Sequence, residues 1–384
     1  MFNMTGRPAP LGRNRAFLAL VFALVGALAM TALVAQPADA KRKKKPNTVK
    51  VMTRNLYLGA DLGPAVNSSG PADFVSKNGQ ILRDVDTNNF PARAKGLANE
   101  IKKVSPDLVG LQELALWRTG DPSLSPAISG NYVASTVHVD YLKELMKQLN
   151  KGKKRYRVVK VQNEFDFEAP ADYDNDPATG LATFGGEING RLTMRDAILA
   201  KVGAGIRTRK IKASNFTTIY EPVISGITVK VQRGWVSANV KVRKGKWFRF
   251  VNTHLESFGE PTIREAQAKQ LLAGPLKSGS LPAVLVDDLN SDDDTVSADD
   301  ALAYNALKKG GMVERGFSGK MSFGVDSGII TDDAPTKFDQ FIDHVMTNRP
   351  KAVRKMAAGV TGTKPANGYW DSDHLGVWAK LRMP

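Results

Sequence analysis

The stretch 283-AVLVDDLN-290 is a short apolar run that ends in polar side chains. Its first four residues are typical of a buried strand, and Asp288 and Asn290 follow at once. A strand-end Asp or Asn is commonly a turn former or a helix cap, so this stretch alone predicts little. Burying such side chains without a partner would cost free energy, which makes any recurrence of the pattern informative.

The same pattern recurs at the ends of other apolar runs along the chain. The further strand-end residues are Asn55, Gln112 with Glu113, His254, Asp343 with His344, and Asp373 with His374. Three of the four histidines occupy such positions, whereas His138 does not and is interpreted as structural. Strand ends in a layered α/β fold are where sites are built, so we predict that these side chains converge on one site.

Apolar periodicity alternates between the strand and the helix pattern after residue 48. The predicted strands span 49–56, 107–113, 155–162, 195–201, 283–290, 339–348 and 374–381, with two long strands in 227–255 joined by a turn at 243–246. The predicted helices span 91–104, 139–149, 263–272 and 299–307. Residues 163–194 are acidic, contain Gly and Pro, show no clear period and are predicted to form a long surface loop. The mixture predicts layered sheets covered by helices.

The first forty residues resemble an export signal. Three arginines precede an uncharged run at 16–35, and Ala38-Asp39-Ala40 forms a small-x-small cleavage pattern. We therefore predict that 1–40 is a signal peptide and that the protein is secreted, extracellular or periplasmic. The run is also long enough to span a bilayer, so an uncleaved membrane anchor stays an alternative. Residues 41–48 form a basic N-terminal tail, and 49–384 form the predicted domain.

Charge and cysteine content narrow the possible functions. The formal charge of +16 becomes +14 once 1–40 is removed, because that segment holds three Arg and one Asp. A strongly basic chain favours polyanionic partners such as nucleic acid or acidic lipid headgroups, although solubility alone is an equal explanation. The chain has no cysteine, which excludes disulfides, thiol chemistry and Cys-zinc sites.

The strand-end residues match one chemistry better than others. The sequence contains no GxxxxGK[ST] phosphate loop, GxSxG elbow, HExxH helix or GxGxxG fingerprint. Carboxylate and amide oxygens suit a hard cation such as Mg²⁺, a further carboxylate can align and deprotonate water, and histidines can stabilise phosphoryl oxygens. The residues therefore favour metal-assisted hydrolysis of a phosphate ester.

The motifs resemble those of the endonuclease/exonuclease/phosphatase superfamily from about residue 49 to residue 381. The matching motifs, in the family's order, are Asn55 in 53-TRNLYLGADL-62, the Gln112-Glu113 pair, 253-THL-255, 287-DDLN-290, 342-IDHV-345 and 372-SDH-374. The resemblance implies a DNase I-like α+β or α/β fold, a four-layer α/β/β/α sandwich in which two mixed β-sheets pack face to face with helices outside.

The resemblance also implies a role for each matching residue. Glu113, Asn55 and Asp373 would bind the metal, which is Mg²⁺, with Mn²⁺ or Ca²⁺ as alternatives. Asp288 would align or deprotonate the attacking water, and Asn290 would orient it. His254 and His374 would flank the phosphate, and Asp343 would hydrogen-bond His374.

The sequence departs from the family pattern at several positions. Asp287 replaces the Gly of GDxN and either tightens metal binding or points to solvent. No acidic partner for His254 is identifiable. Arg195 and Asp196 are either a phosphate contact or a surface ion pair. His344 is expected to project away from the site, on the opposite face of its strand.

The resemblance implies an exported divalent-metal-dependent phosphodiesterase, and the basic charge favours a nuclease. A phospholipase C-type sphingomyelinase is an alternative, because Trp117, Tyr369 and Trp370 near the site could contact a membrane. A phosphomonoesterase and a non-catalytic binding protein are further alternatives. The expected partners are nucleic acid or anionic phospholipid, with peripheral membrane contact possible and a monomeric state.

Overall fold

The computed structural model describes residues 47–176, 187–292, 301–325, 328–334 and 336–384. Its strands are β1 Thr48–Asn55, β2 Leu108–Gln112, β3 Leu116–Gly120, β4 Thr136–Asp140, β5 Tyr156–Ala171, β6 Ile188–Lys201, β7 Ile206–Asn215, β8 Val223–Ile224, β9 Ile227–Thr228, β10 Gly234–Val242, β11 Phe248–His254, β12 Ala283–Asp288, β13 Val313–Glu314, β14 Phe323–Val325, β15 Thr336–Gln340, β16 Asp343–Thr347, β17 Arg354–Thr361 and β18 Gly376–Arg382. Its helices are α1 Gly63–Val66, α2 Pro71–Thr87, α3 Phe90–Val104, α4 Ser125–Ser129, α5 Tyr141–Leu149, α6 Pro261–Ala273 and α7 Leu302–Lys309.

The strands form two large mixed sheets. The first has the order β17-β18-β1-β2-β6-β3-β4, with β5 on the free edge of β6, and the second has the order β13-β16-β12-β11-β10-β7. In the first sheet β1 is parallel to β2 and antiparallel to β18. In the second sheet β11 is parallel to β12 and antiparallel to β10. Each sheet therefore contains one central parallel pair, which brings two strand ends to the same edge.

The two sheets bury a shared apolar layer. Val51 and Leu108 of the first sheet belong to the same buried cluster as Phe250 and Val286 of the second. The outer face of the first sheet packs against α2, α3 and α5, and the outer face of the second packs against α6 and α7. This arrangement of helix, sheet, sheet and helix confirms the predicted four-layer sandwich.

The helix α3 shows how the sequence sets these layers. Asn89 accepts a hydrogen bond from the backbone N–H of Ala92, and a proline lies in the first turn, where its missing N–H costs nothing. Leu97 and Ile101 lie on one face at helical spacing and are completely buried. The predicted helix at 91–104 is therefore confirmed.

The prediction of a surface loop at 163–194 is wrong for 163–171 and 188–194, which form strands, and 177–186 lie outside the described residues. The segment contributes the second half of β5 and the first half of β6, which pair antiparallel from Tyr156 and Lys201 onward. The pairing register shifts at two places in β5, and each shift interrupts the alternation of side chains that identifies a strand. Acidic residues are also satisfied inside the sheet, since Asp166 accepts hydrogen bonds from Arg191 at 2.9 and 2.7 Å.

Several predicted boundaries also differ from the structure. The helix predicted at 139–149 begins only at Tyr141, because Asp140 ends β4 and caps the helix. His138 lies on β4, where its Nε2 is 2.6 Å from Oδ1 of Asp86. The two long strands predicted in 227–255 begin at Gly234, and the segment predicted at 339–348 is divided between β15 and β16.

The predicted signal peptide and the first six residues of the basic tail lie outside the described residues. Within the described ranges, none of the helices combines the length and the apolar character that crossing a membrane requires.

Candidate active site

Strand register brings the predicted site residues together. The parallel pair β1 and β2 aligns Asn55 with Gln112, so Glu113 follows directly beside the end of β1. In the second sheet, β11 and β12 align His254 with Asp288, and β12 and β16 align Asp288 with Asp343. Residues that are far apart in sequence therefore meet at one edge of the sandwich.

His374 is held by Asp343, which begins β16 in the second sheet. Its Nδ1 lies 2.8 Å from Oδ2 of Asp343, and its Nε2 lies 3.7 Å from Oδ2 of Asp288 and 3.9 Å from Oδ1 of Asp373. Burial alone would lower the pKa of His374, but Asp343, Asp373 and Asp288 raise it to about 10. His374 is therefore a cation at neutral pH, with Nε2–H directed into the cleft.

Asp288 lies at the centre of the cleft. Its Oδ1 accepts the backbone N–H of Asn290 at 3.0 Å, and its Oδ2 accepts Nδ2 of Asn55 at 2.8 Å. Burial and the neighbouring Asp343 raise the pKa of Asp288 to about 7, against the opposing charge of His374. Asn290 adopts a left-handed φ of 49°, a conformation that Asn tolerates better than most residues.

Glu113 and Asp373 form the acidic wall of the cleft. Burial and the charge of Glu113 raise the pKa of Asp373 to about 6, although His374 opposes this. Glu113 itself adopts a left-handed φ of 52°, and its Oε2 accepts the backbone N–H of Leu58 at 2.6 Å. Two carboxylates that repel each other in a buried cleft are a donor set that fits a hard divalent cation.

Asn55 makes a different contact from the one expected of a metal ligand. Its Oδ1 accepts the backbone N–H of Tyr57 at 2.9 Å, so its Nδ2 faces Glu113 at 3.1 Å and Asp288. The amide therefore presents a donor to the carboxylates. Asp288, Asp343 and His374 also offer ligand atoms within 4.8 Å of one another, but we assign them to hydrogen bonding because Nδ1 of His374 already contacts Asp343.

The partner of His254 is a cation. Nη1 of Arg233 lies 3.1 Å from Nδ1 of His254, and a guanidinium can only donate, so Nδ1 accepts and Nε2 carries the proton. Burial, Arg233 and His374 hold the pKa of His254 well below its usual value. Its Nε2 lies 3.5 Å from Oδ2 of Asp288, which can accept its proton, whereas Nδ2 of Asn290, 3.1 Å from Nε2, donates to the carbonyl of Leu255 at 3.0 Å. His254 is therefore a neutral donor.

Arg233 is itself enclosed by acidic side chains. Its guanidinium lies 3.4 Å from both oxygens of Glu256, and the charges of Glu256 and Glu164 raise its pKa although burial lowers it. Burial raises the pKa of Glu164 to about 8 despite Arg233, and it raises the pKa of Asp196 well above its usual value. The guanidinium of Arg233, which contacts His254, is therefore held in place by acidic side chains on its other side.

Asp287 and His344 lie on the opposite side of their strands from the cleft. Oδ1 of Asp287 accepts the backbone N–H of His344 at 3.1 Å, and the Asp287 side chain is fully buried. Nδ1 of His344 lies 2.8 Å from Oε2 of Glu314. Asp287 therefore neither points to solvent nor joins the acidic wall, and His344 projects away from the site as its strand position predicts.

The remaining candidates from the sequence are structural. Nη2 of Arg195 pairs with Oδ1 of Asp140 at 2.6 Å, and Nε donates to the carbonyl of Leu114, so Arg195 is neither a phosphate contact nor paired with Asp196. Trp117 and Trp370 are buried, at 4% and 8% exposure, whereas Tyr369 is half-buried.

Sequence reasoning missed two residues that shape the cleft. Arg233 directly precedes β10, and Gly234 pairs with His254 across the hairpin, so counting back from the predicted turn would have placed Arg233 near His254. Ser372 connects the last motif to the first strand, because its Oγ lies 2.9 Å from the carbonyl oxygen of Asn55 and 3.1 Å from Oδ1 of Asp373. Its position inside 372-SDH-374 was the available signal.

The sequence matches no protein-family model and no curated protein. The solved structures of similar fold include three that share 14% to 16% sequence identity with this chain. One is an endonuclease/exonuclease/phosphatase family protein from Bacteroides thetaiotaomicron, with a TM-score of 0.53 and 16% identity, over 88% of this chain and 99% of that chain. The second is the mannosyl-6-phosphatase of Bacteroides thetaiotaomicron VPI-5482, with a TM-score of 0.51 and 15% identity, over 87% of this chain and 99% of that chain. The third is an endonuclease/exonuclease/phosphatase family protein from Leptotrichia buccalis, with a TM-score of 0.51 and 14% identity, over 87% of this chain and 99% of that chain. The chain therefore has the DNase I-like fold of the endonuclease/exonuclease/phosphatase superfamily.

Proposed function

We propose that this chain is a divalent-metal-dependent phosphoric ester hydrolase. The observation that carries the proposal is the position of Asp288 between two histidines, 3.5 Å from Nε2 of His254 and 3.7 Å from Nε2 of His374. One proton acceptor flanked by two N–H donors fits the attack of water on a phosphoryl group, because water must lose a proton while charge builds on the phosphoryl oxygens.

Each protein group has a defined task in this proposal. Asp288 accepts the proton of the attacking water, and Asn290 and Asn55 hold its carboxylate in place. His374, kept cationic by Asp343, donates through Nε2 to a phosphoryl oxygen, and neutral His254 donates through its own Nε2. The water oxygen bonds to phosphorus as its proton passes to Asp288, the ester P–O bond breaks, and the leaving oxygen takes a proton from solvent while Asp288 later returns its own proton to solvent.

Glu113 and Asp373 would hold the cation, with Asn55 beside them. Mg²⁺ fits this oxygen donor set, and Mn²⁺ and Ca²⁺ are alternatives. When bound, the ion would supply neutralisation of the charge on the phosphoryl oxygens. Two half-buried carboxylates that face one cleft would repel each other without a cation, and this repulsion supports the assignment.

The basic charge of the predicted mature chain supports a polyanionic substrate such as nucleic acid. One protein with the same fold is a mannosyl-6-phosphatase, so the architecture is also compatible with monoester hydrolysis. A panel of DNA, RNA, phospholipid vesicles and sugar phosphates, each with Mg²⁺, Mn²⁺ or Ca²⁺, separates these classes. EDTA-sensitive release of alcohol or cleaved strand from any of them supports the proposal.

The panel needs a matched pair of variants. Asp288→Asn removes the proposed proton acceptor without changing its volume, whereas His138→Asn changes a histidine that lies on β4 and pairs with Asp86. We expect the first variant to lose activity and the second to retain it. Retention of full activity by Asp288→Asn, or no turnover on any substrate with any of the three cations, would refute the proposal.

Export is a separate proposal, supported by the basic start, the apolar run at 16–35 and the cleavage pattern at 38–40. Sequencing the N-terminus of the protein recovered from the medium and from cell membranes tests it. A mature N-terminus at residue 41 in the exported fraction is expected. An intact N-terminus in the membrane fraction would show the anchor instead.

A further inference from the structure

A largely apolar cavity lies beside the cleft, on the outer side of the first sheet. It is enclosed by α2, by β5 and β6, and by the β8–β9 hairpin, and its cavity volume is about 100 Å³. Phe74, Ile81, Phe167, Leu192 and Ile224 are typical of its walls. Of the described residues that line it, Asn78 and Arg233 are the ones with an amide or a charged side chain.

The cavity and the cleft meet at Arg233, on the side of His254. Arg233 lines the cavity and also donates to Nδ1 of His254 at 3.1 Å. Phe258 follows His254 by four positions, lines the cavity and stacks on Tyr220, with ring centroids 6.4 Å apart and planes 13° apart. Arg233 therefore contacts both the cavity and a side chain of the cleft.

The cavity also borders the segments that carry the proposed metal ligands. Leu62 lies in the segment that follows Asn55, and Trp117 lies in the strand that follows Glu113. Nε1 of Trp117 donates to the carbonyl of Leu58, whose backbone N–H in turn donates to Glu113. A substrate with its phosphoryl group in the cleft would thus have an apolar space within reach on one side.

The apolar side chains that line the cavity favour an aliphatic ligand over a polar one. A nucleobase or a sugar carries several hydrogen-bonding atoms at its edges, and these would be buried against hydrocarbon without partners. An aliphatic chain carries none, and each methylene that it buries strengthens binding by roughly fourfold. The aromatic and branched walls are of the kind that line pockets for small apolar groups.

We propose that this cavity binds an aliphatic chain of the substrate and that the protein therefore hydrolyses phosphoesters of alkyl alcohols. The inference rests on the proposed hydrolase function and adds a substrate class to it. The β8–β9 hairpin is the roof of the cavity, because Ile224 and Val229 face it while Val223 is exposed. Its turn at Ser225 and Gly226 has left-handed φ values of 49° and 84°, which suit a tight two-residue hairpin.

The test uses the full-length protein and p-nitrophenyl phosphodiesters whose second ester is methyl, butyl or octyl. We expect kcat/KM to rise with chain length, with the octyl ester at least about 100-fold above the methyl ester. Val231→Trp places bulk in the cavity from a half-buried position, and Leu62→Gln makes its rim polar. Each variant should lower kcat/KM for the octyl ester at least tenfold and leave the methyl ester within twofold.

Failure of the inference and failure of the hydrolase proposal give different results. Equal turnover of the three esters would overturn the cavity assignment and leave the hydrolase intact. If no ester is turned over, calorimetry in EDTA with octyl phosphate against inorganic phosphate still decides the binding question. Tighter binding of octyl phosphate that Val231→Trp and Leu62→Gln both weaken supports the cavity, and equal binding of the two ligands overturns it.

Discussion

Arg233 donates a hydrogen bond to Nδ1 of His254 across 3.1 Å, so the histidine beside the proposed proton acceptor is paired with a cation. Sequence reasoning expected an acidic partner, which would have stabilised a protonated ring. The guanidinium does the opposite and fixes the proton on Nε2. The two histidines of the cleft consequently differ in charge, with His374 cationic and His254 neutral.

Replacing Arg233 should destabilise the protein strongly. Arg233→Met leaves Glu256 buried without its counter-ion, and breaking such a pair typically costs about 3–5 kcal/mol of unfolding free energy. Urea denaturation measures the change. The double variant Arg233→Met/Glu256→Met should recover part of it, while Arg207→Met, at an exposed position of β7, should have little effect. A single variant as stable as the wild type would contradict the anchoring role.

The Asp343–His374 pair should act as a unit in catalysis. His374→Ala and Asp343→Asn are each expected to lower kcat by about 10² to 10⁴, because the first removes the donor and the second removes the charge that keeps it protonated. Steady-state kinetics with a saturating cation measures both. The double variant should be little worse than the worse single variant. Fully additive losses would show that the two side chains act separately.

Glu113 and Asp373 should control cation affinity. Glu113→Gln and Asp373→Asn are each expected to weaken Mg²⁺ binding by at least about tenfold, as measured by calorimetry. Mg²⁺ should also raise the melting temperature of the wild type, because a ligand that binds only the folded state stabilises it. Asp121→Asn, an exposed carboxylate outside the cleft, is the control. Unchanged affinity in both cleft variants would place the cation elsewhere.

The buried pair of His344 and Glu314 should make stability depend on pH. Glu314 and Asp287 raise the pKa of His344 from 6.5 to about 9, although burial opposes this. Because the folded-state pKa lies above the unfolded value, the contribution is complete below about pH 6.5 and is lost as the pH rises through about 9. We expect wild type to exceed His344→Gln by on the order of 3 kcal/mol at pH 6, and by much less at pH 9.5. Urea denaturation at both pH values measures it, and a constant difference would contradict the ion pair.

Gly110 should tolerate no side chain, because the two sheets approach closely there. A Cβ on Gly110 would lie 2.1 Å from Oδ1 of Asn252 and 2.4 Å from Cγ2 of Val286. Gly110→Ala is therefore expected to cost about 1–3 kcal/mol or more of unfolding free energy. At Gly70 a Cβ would meet nothing within 4 Å, so Gly70→Ala is the control. Equal stability of the two variants would contradict the close approach.

Local periodicity was enough to predict the elements that bury one regular face. The strand ending at Asn55 and the helix at 91–104 have uninterrupted patterns, and the structure confirms both. The segment 163–194 was predicted as a loop because two register shifts in β5 interrupt the alternation of polar and apolar side chains. Its acidic residues also suggested a loop, but Asp166 pairs with Arg191 on β6. The pairing of an acidic side chain with an arginine on the next strand can be recognised only once the strand register is known.

The residue types of the candidate site were readable from the sequence, whereas their orientations were not. Asp287 and Asp288 are adjacent and alike, yet the pleat sends them to opposite faces of β12. The orientation of the Asn55 amide depends on the backbone N–H of Tyr57, and the tautomer of His254 depends on Arg233. These are tertiary contacts, which one-dimensional patterns do not encode.

The β8–β9 hairpin differs from the catalytic strands in how it is attached. Asn55, His254 and Asp288 lie on strands that pair with neighbours on both sides, whereas β8 and β9, among the described strands, pair with each other and with no third strand. Resizing the hairpin would leave the chemistry of the cleft in place while changing the volume beside it. Laboratory evolution of new substrate preference should therefore start from randomised libraries of this short ribbon.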